Sequence, residues 1–83
     1  MRTQSANTAQ VERDVAKEQQ RLIRLPEVLR TVGMSRSAWY LLVSRGYAPR
    51  PVPLSQRSRA WVEREIQTFV AARIAERDAK AVR

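Results

Sequence analysis

Only three residues separate two short stretches whose apolar residues recur at helical spacing, and few folds allow so short a connection. The first stretch, Leu25–Val32, has Pro26 as its second residue. Proline suits a first helical turn because its missing N–H needs no partner there. Gly33 can adopt the left-handed conformation that ends a helix. Ser35 can cap the second helix, Arg36–Ser44. This arrangement is typical of a helix-turn-helix, and an ordinary corner between two helices is the alternative.

The second predicted helix has two unlike faces. At about 100° per residue, one side is apolar and is predicted to face the core. That side carries Ala38, Trp39, Leu42 and Val43. The other side offers hydrogen-bond donors, an aromatic hydroxyl and one exposed leucine, which is an unusual combination for a helix that only packs. It carries Arg36, Ser37, Tyr40 and Leu41.

Alternating prolines follow the second helix, at Pro49, Pro51 and Pro53. Proline excludes a helix here and confines any strand to the edge of a sheet. A polar turn at 55–58 and a short return strand at 59–61 would complete a hairpin. A hairpin after a helix-turn-helix is a wing, and a flexible proline-rich linker is the alternative.

The last pattern predicts a long helix over residues 62–79, longer than the small core it would cover. Its apolar face contains Val62, Ile66, Phe69 and Val70. We therefore predict a mainly α fold with a small β-hairpin, a winged helix-turn-helix over residues 21–79. Residues 1–20 are predicted to form a polar arm, disordered or weakly helical, and residues 80–83 a basic tail.

The net charge of +8 is unevenly distributed along the chain. Residues 1–20 contain as many acidic as basic side chains, so the excess lies in the rest. No acidic residue occurs between Glu27 and Glu63. All charges in this window are arginines: Arg30, Arg36, Arg45, Arg50, Arg57 and Arg59. Guanidinium groups donate in a fork that suits phosphate, so the pattern favours an anionic polymer as partner. An acidic membrane or protein is the alternative.

Catalysis is disfavoured because the chain contains neither histidine nor cysteine. The commonest general base and the strongest nucleophile are thus missing, as are thiolate metal ligands and disulfides. The closest acidic pairs, at 12/14, 63/65 and 76/78, fit solvated helix faces. We predict a non-enzyme with no cofactor and no small-molecule ligand. The absence of a long apolar run predicts no membrane partner and a cytoplasmic, nucleoid-associated protein.

Four motifs occur in order: RLPEV, VGMSRSAWY, PRPVPL and RAWVEREI. Over about residues 21–74, the chain resembles the AlpA-like phage regulators, small winged-helix proteins related to MerR-type DNA-binding domains and phage excisionases. The resemblance implies that helix 36–44 enters the major groove and that the wing, about 50–61, follows the backbone or minor groove. It also implies that Trp61 belongs to the core. The chain departs from the family pattern at Ala38, Trp39 and Leu41, and its wing tip lacks glycine.

The residues expected to contact DNA lie on the second helix and in the wing. They are Ser35, Arg36, Ser37, Tyr40, Arg45, Arg50, Arg57 and Arg59. The expected function is sequence-specific binding of double-stranded DNA by a small transcriptional regulator of a phage or mobile element, as a homodimer or as copies side by side. The alternatives are an excisionase that bends DNA and a phage protein-interaction adaptor with an incidental basic surface.

Overall fold

A computed structural model describes residues 20–81, in which three helices surround a small antiparallel sheet. The elements, in chain order, are β1 (Leu22–Ile23), α1 (Leu25–Val32), α2 (Arg36–Ser44), β2 (Val52–Pro53), β3 (Arg59–Val62) and α3 (Glu63–Ala81). The predicted fold class, mainly α with a small hairpin, is confirmed. The predicted arm at 1–20, apart from Gln20, and the last two residues of the predicted tail lie outside the described residues.

The turn between α1 and α2 is held by the two residues that the sequence indicates. Gly33 has φ 71°, in the left-handed region, and its N–H donates to the Leu29 carbonyl oxygen at 2.8 Å. The hydroxyl oxygen of Ser35 accepts from the Ala38 N–H at 3.2 Å. The bounds of both helices agree with the prediction, and local capping interactions set the end of α1 and the start of α2.

Replacing Ser35 with alanine is expected to lower the free energy of unfolding by about 1 kcal/mol, because the Ala38 N–H loses its acceptor. Ser37→Ala is the matched control, since Ser37 is exposed within the same helix and makes no cap. Urea denaturation of both variants measures the difference. Equal stabilities would show that the Ser35 cap contributes nothing.

The sheet has the strand order β1-β3-β2, with β3 in the centre. Ile23 pairs with Trp61, and Val52 pairs with Ala60, both antiparallel. Strand β1 was missed because two residues show no alternation, and its partner lies far along the chain. Val62, predicted as the start of the last helix, instead ends β3, since β1 holds it in the sheet.

The prolines of the wing lie on the outer edge of the sheet. The Leu54 N–H donates to the Ser58 carbonyl oxygen at 2.7 Å, so it points towards β3. Along an edge strand, the backbone N–H groups of alternate residues point to the same side. The Val52 N–H therefore also faces β3, while the backbone nitrogens of Pro51 and Pro53 face away from the sheet. The prediction of a proline-bearing edge strand agrees with this arrangement.

Two tryptophans form the centre of the core. Trp39 and Trp61 are both fully buried, with ring centroids 6.2 Å apart in an edge arrangement. Trp39 also packs edge-on against Phe69 at 5.4 Å. The Trp61 indole N–H donates to the Pro49 carbonyl oxygen at 3.0 Å. Within residues 20–81, the buried Trp39 indole N–H has no hydrogen-bond partner.

The prediction that Ala38 faces the core is wrong, since Ala38 is exposed. The large indole of Trp39 occupies the innermost position of α2, and Ala38 lies about 100° around the helix from it. Tyr40 lies about as far round on the other side, but its long side chain reaches back to the core and is half-buried. Side-chain length therefore decides which flanking residue is covered.

Helix α3 extends well beyond the core. Ile66 is fully buried, and Phe69 packs against the core, whereas every residue of 71–81 is exposed. The Arg73 guanidinium lies over the Phe69 ring, 5.4 Å from its centroid. Among the residues described, no helix combines the length and the apolar character needed to span a membrane.

Candidate nucleic-acid interface

A concavity of about 340 Å³ lies between the start of α1, the first turns of α2 and the wing. Its polar walls are Arg24, Arg36, Tyr40, Arg57 and Arg59, and its apolar lining is Leu25, Pro26 and Trp61. We call this feature the arginine concavity. It joins the helix-turn-helix to the wing, two parts of the chain that a DNA-binding domain of this shape would use together.

The wall on α2 comes from residues one helical turn apart. Arg36 is the first residue of α2, and Tyr40 follows on the same face. The Arg36 guanidinium lies 6.0 Å from the centroid of the Tyr40 ring. The Tyr40 ring in turn packs edge-on against Trp61, with centroids 6.2 Å apart. The buried Trp61 thus fixes the position of Tyr40.

The wall on the wing comes from its turn and from β3. Both Leu54 and Ser55 donate their N–H groups to the Ser58 carbonyl oxygen, at 2.7 and 3.2 Å, and these bonds close the turn. Arg57 lies in the turn, and Arg59 is the first residue of β3. Both side chains are therefore carried by backbone that the hairpin holds in place.

Arg24 completes the arginine concavity from a third direction. It is the N-cap residue of α1, and its side chain makes no cap bond to that helix. Its Nε–H instead donates to the Arg59 carbonyl oxygen at 3.0 Å. Sequence reasoning missed Arg24, because its importance depends on how α1 packs beside β3.

Three arginines outside the concavity are paired with carboxylates: Arg21, Arg73 and Arg77. Arg21 contacts Glu63 at 2.6 Å and Glu27 at 3.4 Å, and the hydrogen bond to Glu63 and the charge of Glu27 raise the pKa of Arg21. Arg73 and Arg77 have acidic partners along α3.

The arginine concavity differs in this respect. No acidic residue lines it, and within residues 20–81 none of its arginines forms an ion pair: Arg24, Arg36, Arg57 and Arg59. Like charges gathered without counter-charge repel one another, and an anion bound among them relieves that repulsion.

The structure brings together four of the predicted contact residues: Arg36, Tyr40, Arg57 and Arg59. Ser35 caps α2 beside them, and Ser37 is exposed on the first turn of α2. Two of the predicted residues lie elsewhere. Arg45 is at the opposite end of α2, as its C-cap, and Arg50 lines a separate groove of about 620 Å³ between the wing and α3.

Comparison with protein families identifies the group to which these elements belong. The family described as prophage CP4-57 regulatory protein (AlpA) matches residues 21–74, from the residue before β1 into α3. The chain belongs to the AlpA family. The matched span includes every residue of the arginine concavity. AlpA proteins are small phage regulatory proteins, and the family is generally non-enzymatic.

A relative from a phage supports this membership. The uncharacterized protein ORF88 of Enterobacteria phage P4 is 41% identical to this AlpA family protein over 59 residues. The aligned region covers 71% of this chain and 67% of the relative. No solved structure matches the chain.

Proposed function

We propose that this AlpA family protein is a phage or mobile-element transcriptional regulator that binds double-stranded DNA sequence-specifically. In this proposal α2 lies in the major groove, and the wing, about 50–61, contacts the backbone or minor groove. The observation that carries the proposal is the arginine concavity, which lacks carboxylates and joins the start of α2 to the wing. Such a surface offers forked donors to a polyanion at two neighbouring grooves.

Base contacts are assigned to the exposed side of the first turns of α2. Arg36 can donate two parallel hydrogen bonds to a guanine edge, and Ser37 can bond to a base or a phosphate. Leu41 is 48% exposed on the same helix and can pack against a thymine methyl group. Tyr40 fixes the approach of the helix through its contact with Trp61.

Phosphate contacts are assigned to arginines around α2 and the wing. Arg57 and Arg59 lie beside the first turn of α2. Arg45 and Arg50 lie outside the concavity, and we assign them to the backbone that flanks the site. A helix of nine residues covers a short site, so useful specificity requires a homodimer or copies side by side. A protein acting in this way works in the cytoplasm, at the nucleoid.

Selection from a pool of random duplexes tests the proposal, followed by fluorescence anisotropy of selected and scrambled duplexes from low to physiological salt. We expect an enriched sequence whose preference persists at physiological salt. Weak binding that is equal on all duplexes and disappears with salt would mean that the basic surface only attracts DNA non-specifically through its charge. The protein-interaction adaptor would then be the better hypothesis.

Bending of the selected duplex separates the regulator from the excisionase. A gel-mobility assay with the site placed at different positions along a fragment measures the bend. A site that stays nearly straight supports a regulator that acts by occupancy, and a strong bend supports an architectural role in recombination.

A further inference from the structure

We infer that the arginine concavity holds one phosphodiester group of the DNA strand that separates the two grooves, and that Arg24 is a direct ligand of that phosphate. The inference rests on the proposed DNA binding and deepens it. It assigns the space between α1, α2 and the wing to a single phosphate. It also gives a role to Arg24, which lies outside α2 and the wing.

The location of the phosphate follows from DNA geometry. One sugar-phosphate backbone lies between each major groove and the adjacent minor groove. If α2 occupies the first groove and the wing the second, that backbone crosses the space between them. Arg36 and Arg59 line opposite walls of this space, so the strand passes over the concavity.

The lining of the concavity suits a phosphodiester in both charge and shape. The lining contains four guanidinium groups and no carboxylate, and it also includes Trp61 and the half-buried Tyr40. A phosphodiester has two unesterified oxygens that accept forked hydrogen bonds, and the bases and sugars on either side can lie outside the concavity.

Arg24 is held in place before any DNA binds. Its Nε–H is engaged by the Arg59 carbonyl oxygen at 3.0 Å, and its backbone carbonyl accepts the first hydrogen bond of α1, from the Val28 N–H at 3.1 Å. Its Nη groups belong to the same rigid guanidinium plane as Nε, and Arg24 lines the concavity. One bond thus ties the wing to α1 and orients the remaining donors, so little side-chain freedom is lost on binding.

The test combines a protein variant with DNA in which single phosphates are neutral. Methylphosphonates, which are uncharged, replace one phosphate at a time across the selected duplex. Arg24→Gln removes the charge but keeps the bond to Arg59 possible, since the glutamine amide nitrogen stands as many bonds from Cα as arginine Nε. Arg30→Gln is the matched control, because Arg30 is exposed on α1 and outside the concavity.

For the wild-type protein, we expect one phosphate between the grooves whose neutralisation lowers affinity about tenfold, the loss of one charged hydrogen-bonded contact. Arg24→Gln should lose about tenfold on the unmodified duplex, with a salt slope lower by about one. The same methylphosphonate should then cost the variant clearly less than it costs the wild-type protein, because the Arg24 contact to that phosphate is already gone. Arg30→Gln should retain the full methylphosphonate penalty.

Two results would overturn the inference while leaving DNA binding intact. One is a wild-type scan in which no phosphate between the grooves stands out. The other is an Arg24→Gln variant that keeps the wild-type penalty, which would mean that Arg24 only supports the wing. Thermal melting of the variants detects a folding defect, and the scan of the wild-type protein remains decisive in that case. A wild-type protein that binds no duplex would overturn the proposed function and this inference together.

Discussion

Replacing Trp61 with alanine is expected to remove most of the protein's free energy of unfolding at room temperature. Trp61 is fully buried, contacts the rings of Trp39 and Tyr40, and donates its indole N–H to the Pro49 carbonyl oxygen. Removing such a side chain costs about 3–5 kcal/mol. The free energy of unfolding of a native protein is about 5–15 kcal/mol, and a short chain lies at the lower end of that range.

Phenylalanine at each tryptophan gives a sharper comparison, measured by urea denaturation followed by circular dichroism. Trp61→Phe loses the hydrogen bond and leaves the Pro49 carbonyl oxygen without its indole donor. Trp39→Phe removes an N–H that has no partner among residues 20–81, so this variant loses ring volume but no hydrogen bond. We expect Trp61→Phe to be the less stable variant. The reverse order would mean that packing around Trp39 outweighs the bond to Pro49.

Replacing Arg36 with alanine is expected to lower affinity for the selected duplex by about 1–3 kcal/mol and to relax the sequence preference at one position. The reason is that Arg36 is the first residue of α2 and lines the arginine concavity, and in the proposed complex its guanidinium group donates to a base edge. Selection from random duplexes with the variant protein, followed by anisotropy, measures both effects. An unchanged sequence preference would remove Arg36 from base readout.

Arg57→Ala should behave differently, because Arg57 lies in the wing turn, where a phosphate contact is proposed. It should weaken binding to all duplexes alike and reduce the salt slope by about one. Arg77→Ala is the control for loss of charge, since Arg77 is paired with Asp78 on the exposed part of α3. If Arg77→Ala weakens binding as much as Arg57→Ala does, net charge rather than the wing accounts for the effect.

The parts of the fold that were predictable from sequence are those fixed by local chemistry. Gly33 and Ser35 set the ends of α1 and α2 through bonds to residues three or four positions away. Strand β1 depends instead on pairing of Leu22 and Ile23 with residues of β3, and no local signal marks it. The same pairing keeps Val62 in the sheet, so α3 begins at Glu63, one residue later than the sequence predicts.

The candidate site shows the same division. The window without acidic residues identified Arg36, Arg57 and Arg59, because a run of one charge is visible in the sequence itself. Arg24 lies outside that window, three residues before Glu27, and only the contact with β3 makes it part of the site. Arg50 lies inside the window, yet it precedes β2 and lines a different groove, beside α3.

The outward-facing prolines of β2 bear on how the protein behaves at high concentration. An edge strand with free N–H groups can pair with a strand of another molecule and begin an ordered aggregate. Pro53 of β2 and Pro51, the residue before it, occupy the outward positions along this edge and offer no donor there. In the proposed side-by-side arrangement on DNA, neighbouring copies would therefore touch through side chains and would not pair into a continuous sheet.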